Sequence, residues 1–257
     1  MNKINFIATT IAALAVGTIA AQAAPIPVTF APSVVVPGAA NFTADKLNLL
    51  DFSRVDLTGT TFNENGFLQV NNASLNNNTF DPTGNRSTYS LYLAYKASGT
   101  QTAPNFNGNS SGTINSLTYT LYEAPGATSF GINGSNTAFA NNAGPATALA
   151  TGSLINGTTS FSATPLGAGA NVTATFTQSL AGFIVSPANA TLTLAAAFNN
   201  DSNIINVFNN GTSFTLNGGG GDITFTSTQN SVPEPASLTL LGAGLVAIGA
   251  YRRRSAK

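Results

Sequence analysis

Thr88-Tyr89-Ser90-Leu91-Tyr92-Leu93-Ala94-Tyr95-Lys96-Ala97 is the stretch that decides the fold. Its alternate residues Tyr89, Leu91, Leu93 and Tyr95 share one face of an extended chain. A helix would scatter them, because helical neighbours recur every third or fourth residue. Residues 113–124 repeat the pattern, with Leu117, Tyr119 and Leu121 on one face and Thr118, Thr120 and Tyr122 on the other. Residues 171–177 alternate Val172, Ala174 and Phe176 with polar residues, and 191–198 align Leu192, Leu194, Ala196 and Phe198. Shorter candidates lie at 204–208, 213–216 and 223–225. Thr, Val, Tyr and Phe at period two are a strand signal.

Between these runs stand turn residues: Asn133-Gly134, Asn156-Gly157, Asn209-Asn210-Gly211 and the glycines 218–221. The polar stretches 99–112 and 129–145 predict long loops, and Pro25, Pro27, Pro32 and Pro37 predict an extended lead-in. The expected fold is all-β, an antiparallel two-sheet sandwich or jelly roll. It is flanked by an N-terminal signal helix and a C-terminal transmembrane helix.

Composition narrows the chemistry. Charged residues make up only 7% of the chain, and Asn, Thr, Ser, Ala and Gly take their place. Residues 24–232 hold the acids Asp45, Asp51, Asp56, Glu64, Asp81, Glu123, Asp201 and Asp222 against the bases Lys46, Arg54, Arg86 and Lys96. A mildly acidic surface of this kind argues against nucleic acid as a partner. Cysteine and histidine are absent, which removes disulfides, thiolate catalysis, Cys or His metal sites and histidine proton shuttles.

Both ends read as addresses. Lys3, an apolar run over residues 4–20 and Ala21-Gln22-Ala23 make a signal peptide cut after Ala23 by a signal peptidase. At the other end come Pro233-Glu234-Pro235, an apolar run over 236–251, then Arg252, Arg253 and Arg254. That run is about 16 residues, or roughly 24 Å as a helix, short for a full span unless the arginines snorkel. The arginines point to the cytoplasm and leave the β-domain outside. The prolines keep the preceding segment extended, in the form a protease binds. The organisation is therefore signal peptide 1–23, exported domain 24–230 and a sorting tail 231–257.

Other motifs read more plainly. Gly108-Asn109-Ser110-Ser111-Gly112 matches G-x-S-x-G, but it lies in polar sequence and no histidine exists to serve it, so it reads as a Gly/Ser loop. Residues 199–203 and 218–222 offer oxygen ligands, yet one Asp in each is thin for calcium. The acids form no recognisable catalytic pair. Asn-x-Ser/Thr triplets recur, as at Asn41, Asn72 and Asn171, and fit a polar uncharged surface. No catalytic residue, metal ligand or cofactor is assigned.

The order Pro233-Glu234-Pro235, apolar span with Gly242 and Gly244, Arg252-Arg253-Arg254 resembles a PEP-CTERM sorting signal. That resemblance implies recognition by an exosortase, transient residence in the inner membrane, removal of the tail and delivery to the surface or extracellular polymer of a Gram-negative bacterium. The middle resembles the flocculation-associated PEP-CTERM family. The residues that carry this are Asn41-Phe42-Thr43-Ala44-Asp45-Lys46, Tyr89 through Tyr95, Ala150-Thr151-Gly152-Ser153-Leu154-Ile155, and 218–222 ahead of Phe225. It implies a non-enzymatic role in floc formation, with exopolysaccharide as partner. Two other readings stay open: a carbohydrate-binding surface module using Tyr92 or Tyr122 as a platform, and a secreted hydrolase.

Overall fold

The computed structural model describes residues 24–84, 87–188, 192–200 and 203–227. The strands are β1 (Val28–Phe30), β2 (Phe42–Ala44), β3 (Lys46–Thr58), β4 (Thr61–Leu75), β5 (Asn78–Phe80), β6 (Tyr89–Gln101), β7 (Ser110–Pro125) and β8 (Thr128–Ile132). They continue as β9 (Ala138–Asn142), β10 (Thr147–Ala163), β11 (Leu166–Gln178), β12 (Ile184–Ser186), β13 (Leu192–Asn199), β14 (Ile204–Phe208) and β15 (Ser213–Ser227).

Eight of these strands run β3-β4-β6-β7-β10-β11-β13-β15 around one sheet, each antiparallel to the next, and β15 pairs with both β13 and β3. The sheet therefore closes on itself. The expected two-sheet sandwich is corrected to a closed up-and-down barrel, while the all-β class and antiparallel pairing hold. The same alternation suits either architecture, since each buries one face of every strand. The continuous pairing of long strands, 13 residues in β3 and 15 in β4, distinguishes them here.

Large apolar residues point inward. Leu47, Leu49, Leu93, Tyr119, Leu121, Val172, Leu194 and Ile223 are all buried. The outer face carries Thr118, Thr151, Ser153 and Thr177, all exposed. This is the reverse of a membrane barrel, whose outer face is an apolar band. Among the described residues no helix is long and apolar enough to cross a membrane. The terminal helices expected at 1–23 and 236–251 lie outside the described residues.

Each end of the barrel is filled differently. At the end where β3 starts and β6 starts, the small sheet β12-β1-β2 supplies Phe30 and Phe42. The Phe30 ring lies 5.0 Å from Phe42, 5.4 Å from Phe183 and 5.6 Å from Phe225. Each such ring pair adds about 0.5–1.5 kcal/mol beyond its buried area. At the opposite end residues 102–109 connect β6 to β7 and insert Phe106, which packs 4.8 Å from Phe161 and 4.5 Å from Phe214. Phe106 N–H donates to Gly211 O at 2.6 Å, and Asn109 Oδ1 accepts from Ala163 N–H at 3.0 Å.

Several expected turns prove to be strand. Residues 213–216 and 223–225 belong to one strand, β15, and Gly218–Gly221 run through its middle. A register shift between Asn217 and Gly219 absorbs the irregularity, with Gly218 at φ +81°. Asn156-Gly157 likewise lies within β10 at a register shift rather than at a turn. The loop expected over 99–112 shrinks to 102–109, and 129–145 contains the β8–β9 hairpin. Gly152 is required by close approach: a Cβ there would sit 2.0 Å from Thr175 O and 2.3 Å from the Tyr119 ring.

Candidate functional site

β3 sends Leu47, Leu49, Asp51, Ser53, Val55 and Leu57 to one face by simple alternation, and that face is the barrel interior. Two of the six are polar. β4 adds Glu64 between inward Phe62 and Leu68, and β6 adds Tyr95. Asp51, Glu64 and Tyr95 line a cavity of about 100 Å³ whose remaining wall is mostly apolar, including Leu93, Ile114, Phe161 and Phe214. The Phe106 side chain lines the same cavity.

The polar groups are tied together. Tyr95 Oη lies 2.7 Å from Glu64 Oε1 and 3.1 Å from Asp51 Oδ1. Ser53 Oγ donates to Glu64 Oε1 at 2.9 Å, and Asn200 Nδ2 donates to Asp51 Oδ2 at 3.3 Å. A phenol carries one proton, so both tyrosine contacts are hydrogen bonds only if one carboxyl keeps its proton and donates back. Burial pushes Asp51 well above the usual carboxylate range, and the Glu64 charge pushes it further, against the pull of Tyr95, Ser53 and Asn200. Burial raises Glu64 too, against the bonds from Tyr95 and Ser53. Burial, then the charges of Asp51 and Glu64, raise the Tyr95 hydroxyl well above its ordinary range. A carboxyl pair sharing a proton is thus the state that this geometry favours.

Sequence reasoning missed this pair. Asp51 and Glu64 stand thirteen positions apart in sequence with no motif between them, and only the β3–β4 pairing brings them together. The two loops weighed for calcium also meet here. The Asn200 amide lies over Gly219, leaving no room for a Cβ. Among the described residues no group of three or more His, Cys, Asp or Glu could hold a metal ion.

The G-x-S-x-G stretch is not a nucleophile elbow. Ser110 opens β7 from a loop, is buried and donates to Gln101 Oε1 at 2.7 Å. An elbow joins a strand to a helix and exposes its serine. The tyrosine platform loses Tyr92, while Tyr122 stays half-buried. Tyr92 and Tyr122 stack at 5.4 Å on the outer face, but the β8–β9 hairpin covers Tyr92 with Phe130 and leaves it 4% exposed. Asn142 Nδ2, from that hairpin, donates to Tyr92 Oη at 3.0 Å.

The residues that sequence reading assigned to processing lie outside the described residues: Ala21 and Ala23 at the signal cleavage, and Pro233, Glu234, Pro235, Arg252, Arg253 and Arg254 in the tail. Comparison with protein families speaks to the tail directly: residues 231–254 match the PEP-CTERM protein-sorting motif. The chain carries a PEP-CTERM sorting motif. The PEP-CTERM motif marks an exported protein, processed by an exosortase and sent to the cell surface of a Gram-negative bacterium. It ends at Arg254 and so takes in the Pro-Glu-Pro triplet, the apolar run and the three arginines. No curated protein and no solved structure matches the chain. The barrel ahead of the PEP-CTERM motif is therefore read from its own geometry.

Proposed function

We propose that the chain is a non-enzymatic surface protein that promotes flocculation by associating with secreted polysaccharide. The observation that carries this reading is a continuous hydroxyl face on the outside of the barrel. Thr120 stands opposite Thr151 and Thr151 opposite Thr177, across β7, β10 and β11. Thr118 stands opposite Ser153 in the next outward row of β7 and β10. Thr175 stands opposite Thr193, across β11 and β13. Ser153 and Thr175 hydroxyls also join at 3.3 Å. An uncharged array of donors and acceptors suits sugar hydroxyls, and it lets copies approach without charge repulsion.

In this reading a signal peptidase cuts after Ala23, and the mature protein enters the extracellular polymer once an exosortase has removed the tail near Pro233-Glu234-Pro235. Deleting the gene and measuring cell settling tests it. Loss of settling that returns with the wild-type gene, but not with a Thr118→Lys, Thr175→Lys double variant, is the expected result. Unchanged settling with polysaccharide secretion intact refutes it. Retention of the purified protein by isolated exopolysaccharide, lost in the double variant, separates polymer binding from adhesion between protein copies.

A further inference from the structure

We propose that the barrel interior is a binding site for a small organic ammonium ion, its head on Asp51 and Glu64 and its short apolar tail beneath Phe106. The inference stands independently of the flocculation reading. Among the described residues the cavity wall carries two carboxyl groups and no Lys or Arg, so no described cation answers them. The other titratable groups facing it are the Tyr95 and Tyr119 hydroxyls. Asn200 lines the same space, and its Oδ1 is buried without a hydrogen-bond partner, as is Thr159 Oγ1. Oxygens with spare lone pairs thus gather at one cavity, and an ammonium head offers three donors to meet them.

Size and wall chemistry choose among guests. A dry cavity of about 150 Å³ accepts benzene, so the roughly 100 Å³ here suits about four heavy atoms, the size of propylammonium. Calcium needs six to eight oxygen ligands, which a mostly apolar wall does not supply. The rings of Phe62, Tyr119 and Phe161 in the wall also favour an organic cation over a neutral guest. The way in lies under residues 102–109. That segment is anchored by the bonds at Phe106 and Asn109, and a Cβ added at Gly108 near its tip would meet no atom within 4 Å.

Proton balance gives the test. Without a guest the carboxyl pair keeps a proton, held on the Tyr95 bridge. When an ammonium ion docks, that proton leaves to solvent as the N–H groups take over its contacts. Calorimetric titration of the full-length protein with propylammonium chloride, in two buffers of different ionisation heat, reads both binding and proton release. The expected result is one site, proton release on binding, and affinity that rises with pH by no more than about tenfold per unit. Neutral n-propanol should bind at least tenfold more weakly. Glu64→Gln, checked for an unchanged fold by circular dichroism, should weaken propylammonium tenfold or more and flatten the pH dependence. Absence of saturable binding, equal binding of propanol, or binding without proton release each overturns the proposal, and each is read on the unmutated protein.

Discussion

Glu123 lies on β7 opposite Leu91 of β6 and Thr147 of β10, and it is fully buried. Neither of its carboxylate oxygens has a hydrogen-bond partner. Burial pushes its carboxyl from the ordinary 4.5 up to about 8. In the unfolded chain the group loses its proton near 4.5, whereas in the folded barrel it keeps the proton until about 8. The folded state therefore binds the extra proton between those values, and stability falls as pH rises through that window. Below pH 4.5 the penalty is absent, and above about 8 it is complete. At 1.36 kcal/mol per pH unit the full interval sets a ceiling of about 5 kcal/mol, and relaxation around the site leaves about 2–5.

Glu123→Gln removes the ionisation and keeps the shape. Urea unfolding of both proteins at pH 5 and pH 8.5 measures the effect. The variant should gain about 2–5 kcal/mol over wild type at pH 8.5 and much less at pH 5. Asp51 and Glu64 are also raised and give wild type a slope of the same sign. The difference between the two proteins removes their share. Parallel pH profiles for wild type and variant would refute the argument, because they would mean that Glu123 titrates alike in both states.

Other substitutions test the packing and the tail. Gly152→Ala drives a methyl against Thr175 O and the Tyr119 ring. It should cost about 3 kcal/mol in chemical denaturation, since the backbone oxygen cannot rotate away. Phe106→Ala should destabilise the barrel by about 3–5 kcal/mol and speed amide exchange at Phe161 and Phe214, the two rings it packs against. Replacing Pro233, Glu234 and Pro235 by alanine should leave the tail attached, so intact-mass measurement of membrane-extracted protein would find Lys257 still present.

The parts of the fold that were legible in sequence are those with an unbroken run of apolar inward residues. β6, β11, β13 and the 117–121 stretch of β7 present Leu, Tyr, Val, Ala and Phe at alternate positions, and the period shows without help. β3 and β4 are among the longest strands, yet their period does not stand out. Asp51 and Ser53 interrupt the inward row of β3, and Glu64 and Gly66 interrupt that of β4. On the outer face Phe52 and Phe67 are apolar because Phe130 from the hairpin covers them, at 5.6 and 6.4 Å. Polar residues inside and rings outside cancel the contrast on which periodicity depends. Closure was hidden for another reason. It rests on which strand β15 pairs with, a relation between residues more than 150 positions apart.

The interruption that hid these strands also marks the site. A barrel of this size closes more stably around leucine than around two carboxyls, because burying acidic groups costs free energy even when hydrogen bonds offset part of it. Most of the described interior is built to that rule, and the acids that depart from it are Asp51 with Glu64, and Glu123. Glu123 stands without a partner, whereas Asp51 and Glu64 are bridged by Tyr95, steadied by Ser53 and Asn200, and open onto free volume. A cost taken at one place, with the surroundings arranged to hold the groups still, is the pattern expected of a binding site rather than of stabilisation. Asp51→Leu with Glu64→Met separates the two roles. Such a barrel should unfold at higher urea and lose any interior ligand, whereas a barrel that needed the pair for folding would lose stability.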